Sequence, residues 1–256
     1  MALITLTSDL GLKDHFVAAV KGFIYSQLKD VQIIDISHQI TPFNILEAAF
    51  ILRNSYNYFP QKTIHLINVD SNNSLNDNFI AVKFNNHYFI GSNNGVISLI
   101  TDQQADEMHE IEIKKKSDLL FPLKNIIAPT ACRLASKYDL NATGNKIPQI
   151  HLVSSLNPTI ETDTIRGMVI YIDNYGNAIT NISKKVIEKY NYNSIKIEFS
   201  RNEMIDSISE VYSDVHTGDA LCLFGSGGLL EIAINKANAS QLFGLQVNSK
   251  ILITFT

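Results

Sequence analysis

Over the first half of the chain, short apolar β-branched runs alternate with helical periodicities; after residue 164 the helical pattern stops and only β-rich runs continue. Strand-like runs at 3–6, 31–36 and 64–69 are separated by helical stretches at 16–28 and 45–56. Strands that alternate with helices predict a mostly parallel sheet covered on its faces, a three-layer α/β domain. In the first helical stretch Val17, Val20, Ile24 and Leu28 share one face, as a helix lying on a sheet requires. The later runs, at 168–172, 195–199, 220–224, 229–234 and 251–255, are short and divided by turns, which predicts a small β-sandwich or barrel. Between the two patterns the polar stretch from Asp139 to Pro148 breaks both periods. The expected organisation is therefore an N-terminal α/β domain at 1–138, a linker at 139–163 and a C-terminal all-β domain at 164–256.

Composition narrows the function classes. A 256-residue chain with 45% hydrophobic residues can bury a sizeable core. Its net charge is −4 and its basic cluster is limited to Lys114-Lys115-Lys116, which argues against a phosphate-backbone footprint and hence against nucleic acid. The first residues lack the basic region of a signal peptide, and no apolar run reaches the length of a membrane span. Cys132 and Cys222 have no metal-like spacing and read as reduced, buried residues of a cytoplasmic protein.

Polar residues gather where strands end. Ser8-Asp9-Leu10-Gly11 follows the first strand, Asp35-Ile36-Ser37-His38 and Pro42-Phe43 follow the second, and Asn68-Val69-Asp70 ends the third, so three strand ends can converge on one crevice. Asp9 is suited to accepting sugar hydroxyls; the plain alternative is that Asp9 and Asp14 only end the strand and cap the next helix. His38 is a candidate base that more simply hydrogen-bonds locally, and the stretch from Gly91 to Gly95 is a turn by composition. With Gly11 alone and no glycine-rich phosphate loop, the ligand is not expected to be held by phosphates. In the second half, the stretch from Asp173 to Ile182 combines a carboxylate, an aromatic ring, a glycine turn and amides behind a strand-like run, the makings of a small polar-ligand site. Gly225-Ser226-Gly227-Gly228 offers amides and a hydroxyl to an anion such as a carboxylate.

Taken in order, Ser8-Asp9-Leu10-Gly11, Asp35-Ile36-Ser37-His38, Ser92-Asn93-Asn94-Gly95, Asp173-x-Tyr175-Gly176-Asn177-x-x-Thr180-Asn181 and Ser226-x-Gly228-x-Leu230-Glu231 resemble the S-adenosylmethionine hydroxide adenosyltransferases, relatives of the fluorinase and chlorinase. The resemblance covers nearly the whole chain. It implies an α/β domain followed by a β-barrel-like domain, a homotrimer with sites at subunit interfaces, and S-adenosylmethionine as substrate, with no metal or other cofactor. By position it implies that Asp9 grips the ribose, that Asp14 and Asp173 face the methionine ammonium, and that Ser226 faces its carboxylate. Asn177 meets the adenine edge, Tyr212 stacks on adenine, Phe43 lines the sulfonium pocket and Asn94 belongs to the binding set. The implied reaction is displacement at ribose C5′ by water or hydroxide, giving adenosine and L-methionine; a non-catalytic binder of S-adenosylmethionine or adenosine is the alternative.

That alternative arises because the chain departs from the family's Asp, Arg and His trio. Only Asp70 is matched; Asp77 and Pro122 occupy the positions of the arginine and the histidine, and Lys124 takes the basic position of the segment Phe121-Pro122-Leu123-Lys124-Asn125. A lone carboxylate is a weak base, which burial or a neighbouring acid would strengthen, and His38 or His87 are the histidines that could approach. Gly227 replaces the arginine that follows the carboxylate-binding serine in the fluorinase, and Leu123 puts a bulky side chain where the fluorinase has a serine near its halide.

Overall fold

The computed structural model of the chain describes residues 1–71, 78–153, 157–200 and 203–256. The chain divides into two compact units, Met1–Ser155 and Leu156–Thr256.

The first unit is built on a seven-stranded sheet of β1 (Ala2–Ser8), β2 (Val31–Ser37), β3 (Ile64–Asn68), β4 (Phe79–Phe84), β5 (His87–Ser92), β6 (Glu107–Ile111) and β7 (Gly144–Lys146), in the order β2-β1-β3-β5-β4-β6-β7. Strands β2, β1, β3 and β5 run parallel, and β4, β6 and β7 extend the sheet antiparallel. Helices α1 (Phe16–Gln27) and α4 (Ala128–Lys137) cover one face, where Val20, Ile24, Ala131 and Leu134 pack on Ile4, Leu6, Ile64 and Leu66. Helices α2 (Ile45–Arg53) and α3 (Val96–Ile100) cover the other, where Ala48, Leu52 and Ile97 pack on Ile67, Ile80 and Phe89. The expected three-layer α/β arrangement follows, with the apolar face of α1 where its periodicity put it.

Local chemistry fixes the element ends. Asn44 caps α2 by accepting the Glu47 N–H at 3.1 Å, and Glu47 Oε2 accepts the Thr41 N–H at 3.1 Å, which ties the loop before the helix to its first turn. The β4–β5 hairpin turns through Asn85 and Asn86, both with positive φ (50° and 60°), as the primed two-residue turns demand. Within the stretch 139–163, Gly144–Lys146 pairs with β6 as the last strand of the first sheet, and β8 (Thr159–Ile160) pairs with a strand of the second unit.

That second unit comprises β9 (Thr164–Ile172), β10 (Ala178–Ser183), β11 (Ile195–Ser200), β12 (Glu203–Ile205), β13 (Ala220–Phe224), β14 (Leu229–Ile234) and β15 (Lys250–Phe255), with short helices α5 (Lys184–Ile187) and α6 (Ala239–Phe243). The strands pair antiparallel in the order β12-β11-β15-β9-β10-β14-β13, and β12 at one edge approaches β13 at the other, so the sheet is a nearly closed barrel. Strict alternation explains the filling: Ile195, Ile197 and Phe199 of β11 and Ile251, Ile253 and Phe255 of β15 point inward. Among the described residues no helix is long and apolar enough to cross a membrane.

Candidate active site

The parallel strands of the first unit deliver their C-terminal ends to one edge of the sheet, where Ser8 lies in register with Asn68. Asp9, directly after β1, accepts two backbone N–H groups on a single oxygen: Oδ2 is 3.0 Å from the Phe43 nitrogen and 3.2 Å from the Asp70 nitrogen. Both donors have left-handed backbones, φ 68° at Phe43 and 48° at Asp70. Asn94 holds the same loop from the other side, donating from Nδ2 to the carbonyls of Val69 (2.9 Å) and Asp70 (3.1 Å). Beneath Asp9, the Ser8 hydroxyl pairs with His38 Nδ1 at 2.7 Å, and the Gly11 N–H donates to the His38 carbonyl at 2.7 Å. His38 Nε2 comes within 3.1 Å of Asp35 Oδ1 without the alignment of a hydrogen bond. Burial works against ionisation of Asp35, yet the Lys21 ammonium at 2.6 Å and the His38 ring hold its carboxyl below the usual range. Around this edge the buried Thr7 Oγ1, Asn68 Oδ1 and Ser71 Oγ have no hydrogen-bond partner among the described residues. Buried polar atoms left this way fit a site completed by water or a polar ligand.

In the second unit the β9–β10 loop folds around its own carboxylate. Asp173 Oδ1 accepts the N–H groups of Tyr175 (2.9 Å) and Asn177 (2.8 Å), and Oδ2 accepts Asn177 Nδ2 at 2.9 Å. Gly176 has φ 84°, and a Cβ there would lie 2.2 Å from Asn238 Cγ, so glycine is required both for conformation and for the close approach. Asn177 Nδ2 also reaches the Tyr212 hydroxyl at 3.5 Å, and that hydroxyl donates to Glu231 Oε2 at 2.9 Å. The Glu231 carboxylate lies against Gly225, where a Cβ would sit 1.6 Å from Oε1 and would displace the carboxylate. Burial, then the bond to Glu231 and the Glu231 and Asp173 charges, push the Tyr212 hydroxyl well up. Burial also raises the Glu231 carboxyl, with the Asp173 charge adding to it and the Tyr212 bond opposing. An open cleft of about 770 Å³ is lined by Asp173, Tyr175, Asn177, Tyr212, Lys236 and Asn238, among others. That volume is in the range of small-molecule sites.

Residues 4–144 match the SAM hydroxide adenosyltransferase N-terminal domain and residues 167–252 the C-terminal domain. The chain belongs to this adenosyltransferase family. It is 28% identical to the (R)-S-adenosyl-L-methionine hydrolase of Methanocaldococcus jannaschii, over 99% of this chain and 96% of that protein. A fluorinase of Actinopolyspora mzabensis is 23% identical over 98% of this chain and 97% of that protein. The solved structure of an uncharacterized conserved protein from Thermotoga maritima superposes with a TM-score of 0.87 at 29% identity, covering 98% of this chain and 99% of that one.

Within this adenosyltransferase chain, the structure brings Asp9, Phe43, Asp70 and Asn94 into one hydrogen-bonded group, and Asp173, Asn177 and Tyr212 into another. Asp14 is exposed and does not cap α1, whose N-cap is His15 with no side-chain hydrogen bond. Ser226 is exposed in the β13–β14 turn, which the Gly225 N–H closes on the Leu229 carbonyl at 3.0 Å. His87 does not approach Asp70. It opens β5, whose parallel pairing with β3 puts it at the opposite end of the sheet, where its Nδ1 lies 3.2 Å from buried His65 Nε2. Lys124 sits in a π-helical turn, Leu123–Ile127, with its ammonium 6.0 Å from the Phe23 ring and 3.4 Å from Asn125 Oδ1. Asp77 and the run 72–74 lie outside the described residues. Glu231 stands in the sequence motif Ser226-x-Gly228-x-Leu230-Glu231 with no role of its own, because its partner Tyr212 is nineteen residues away.

Proposed function

We propose that the protein binds S-adenosylmethionine and hydrolyses it at ribose C5′, with water or hydroxide as nucleophile, releasing adenosine and L-methionine. The observation that carries this reading is the group at the strand ends, where Asp9 holds the backbone N–H of Asp70 beside buried polar atoms that have no partner among the described residues. Relatives named (R)-S-adenosyl-L-methionine hydrolase support the same chemistry.

In the proposed reaction the water oxygen bonds to C5′ as the C5′–sulfur bond breaks, and the sulfonium's electron pair stays with methionine. Because the leaving group is already cationic, no general acid is needed. The enzyme's task is to align a weak nucleophile, and orientation of this kind contributes roughly 7–11 kcal/mol. Asp70 would orient the water and take up its proton, working without the trio's arginine and histidine, whose matching positions are Asp77 and Pro122. Asp9, with Oδ2 already engaged, would offer Oδ1 to a ribose hydroxyl. Phe43, 74% exposed, would lay its ring against the sulfonium, where an aromatic face favours a cation. Asp14 and Asp173 would meet the methionine ammonium, Ser226 its carboxylate, Asn177 the adenine edge and Tyr212 its face. Assembly as a homotrimer with sites at subunit interfaces, in a reducing cytoplasm compatible with the free Cys132 and Cys222, completes the proposal.

The test is incubation of purified protein with S-adenosylmethionine in the absence of added metal, following adenosine and methionine by chromatography beside the Asp70→Ala variant. Product from the unaltered chain and a loss of about a hundredfold or more in the variant are expected. Tight ligand binding without product from either protein would leave a binding module and overturn the hydrolase.

A further inference from the structure

Asp70 stands in the left-handed backbone region, φ 48°, which a residue with a Cβ seldom adopts. Its peptide groups are gripped on both sides by side chains: the N–H by Asp9 Oδ2 at 3.2 Å and the carbonyl by Asn94 Nδ2 at 3.1 Å. The preceding carbonyl, that of Val69, takes the second Nδ2 hydrogen at 2.9 Å, and Asn94 Oδ1 accepts the Val96 N–H at 3.2 Å, tying the amide to the start of α3. A primary amide has two hydrogens to donate and one carbonyl oxygen to accept. Both donor hydrogens of Asn94 and one lone pair of its oxygen are thus engaged with main chain, and no donor remains for a ligand.

We infer that Asn94 is a positioning residue for Asp70 rather than a substrate contact, bracing the left-handed peptide from which the Asp70 carboxylate projects. The position after β5 suits this role, since β3 and β5 run side by side in parallel and their C-terminal ends meet at the same edge. Asp9 closes the brace from the β1 side, so one carboxylate oxygen and one amide together hold the Asp70 loop to both neighbouring strands.

The catalytic consequence rests on the reading of Asp70 as the water-orienting carboxylate; the brace itself does not. The experiment compares the unaltered protein, Asn94→Ala, Asp70→Gly and the double variant for kcat, KM, adenosine affinity by calorimetry and Tm. Asn94→Ala is expected to lower kcat by about tenfold or more while leaving KM and adenosine affinity within about twofold, the signature of a misplaced reacting group rather than a lost contact. Its Tm should fall by about 2–4 °C, and by less than half of that in the Asp70→Gly background, where glycine adopts the left-handed conformation unaided. A tenfold or greater weakening of adenosine binding with an unchanged Tm would make Asn94 a ligand contact and overturn the proposal. So would an equal Tm loss in both backgrounds, which would show no coupling to Asp70. If the unaltered protein makes no product, the hydrolase reading falls while the Tm cycle still decides the brace. Asn94→Ser, whose hydroxyl retains one carbonyl bond, replaces the alanine variant if that does not fold.

Discussion

In the first unit, the polar side chains at the strand ends bond mainly to main chain: Asp9 accepts the N–H groups of Phe43 and Asp70, and Asn94 joins two carbonyls and an N–H. In the second, Asp173 does some of the same work for its own loop, but Asn177 and Tyr212, which line an open cleft, continue as a side-chain relay to Glu231. Side-chain bonds to backbone fix where a loop goes, because the partner cannot rotate away. A relay of titratable side chains instead couples each group's charge and orientation to its neighbour's. The first arrangement suits holding a reacting group still; the second suits recognising a ligand by charge and donor pattern.

If the second cluster nevertheless depends on one backbone position, Gly176→Ala should reveal it. An alanine there combines a left-handed backbone with a Cβ against Asn238, and Asn238 caps α6 by accepting the Gln241 N–H at 2.8 Å. Left-handed strain and a disturbed cap together predict a loss of about 2–3 kcal/mol in urea unfolding, accompanied by weaker adenosine binding. A loss under about 0.5 kcal/mol would mean that the loop yields, and that the relay alone shapes the cleft.

The contrast between the units also marks what could be read from the chain itself. Layering was legible because hydrophobic period is local: α1 shows its apolar face in Val17, Val20 and Ile24, and the barrel strands alternate. The β4–β5 hairpin had a usable signal in Asn85-Asn86, a pair suited to left-handed turns, which the reading of alternation passed over. The first cluster was legible as a set of strand ends, since Asp9, His38 and Asp70 each follow an apolar run. What each side chain does there was not, because bonds such as Asn94 to Val69 depend on which strands become neighbours. For the same reason a turn-like composition at 91–95 concealed a brace, and the motif that contains Glu231 did not show its partner Tyr212.

The first unit contains a second polar group, at the opposite end of the sheet from Asp70, that makes its stability depend on pH. His65 is fully buried between Thr5 Oγ1, 2.7 Å from its Nδ1, and His87, and its ring stacks on Phe89. Burial, and then the neighbouring His87, lower its pKa from 6.5 to about 3, and burial lowers that of His87 as well. For a base depressed in the folded state, the unfolded chain binds the proton first. The stabilisation is therefore complete above pH 6.5 and declines as pH falls from there towards 3. Between pH 7 and pH 5 the His65 contribution should drop by about 2 kcal/mol, seen as a lower urea midpoint, and His65→Gln should flatten that dependence. A variant with the unaltered pH slope would place the acid sensitivity elsewhere.

The smallest expected effect sharpens the comparison most, because it asks whether Tyr212 and Glu231 act as one device. The phenol donates to Glu231 Oε2 and lies within reach of Asn177 Nδ2, so Tyr212→Phe leaves one acceptor and one donor short of a partner. Such losses cost about 1 kcal/mol at a half-exposed position, near a fivefold weakening of adenosine binding. Glu231→Gln keeps an oxygen for the phenol to bond but removes the charge. If the relay works by orientation alone, Gln at 231 should bind adenosine almost as the unaltered protein does. If the charge matters, Gln should approach the Tyr212→Phe value, and the double variant should be no worse than the weaker single one, since both interrupt the same path. Fully additive losses in calorimetry would instead mean that Tyr212 and Glu231 touch the ligand independently, and the second cluster would then be a set of separate contacts, like the braces of the first unit, rather than a relay.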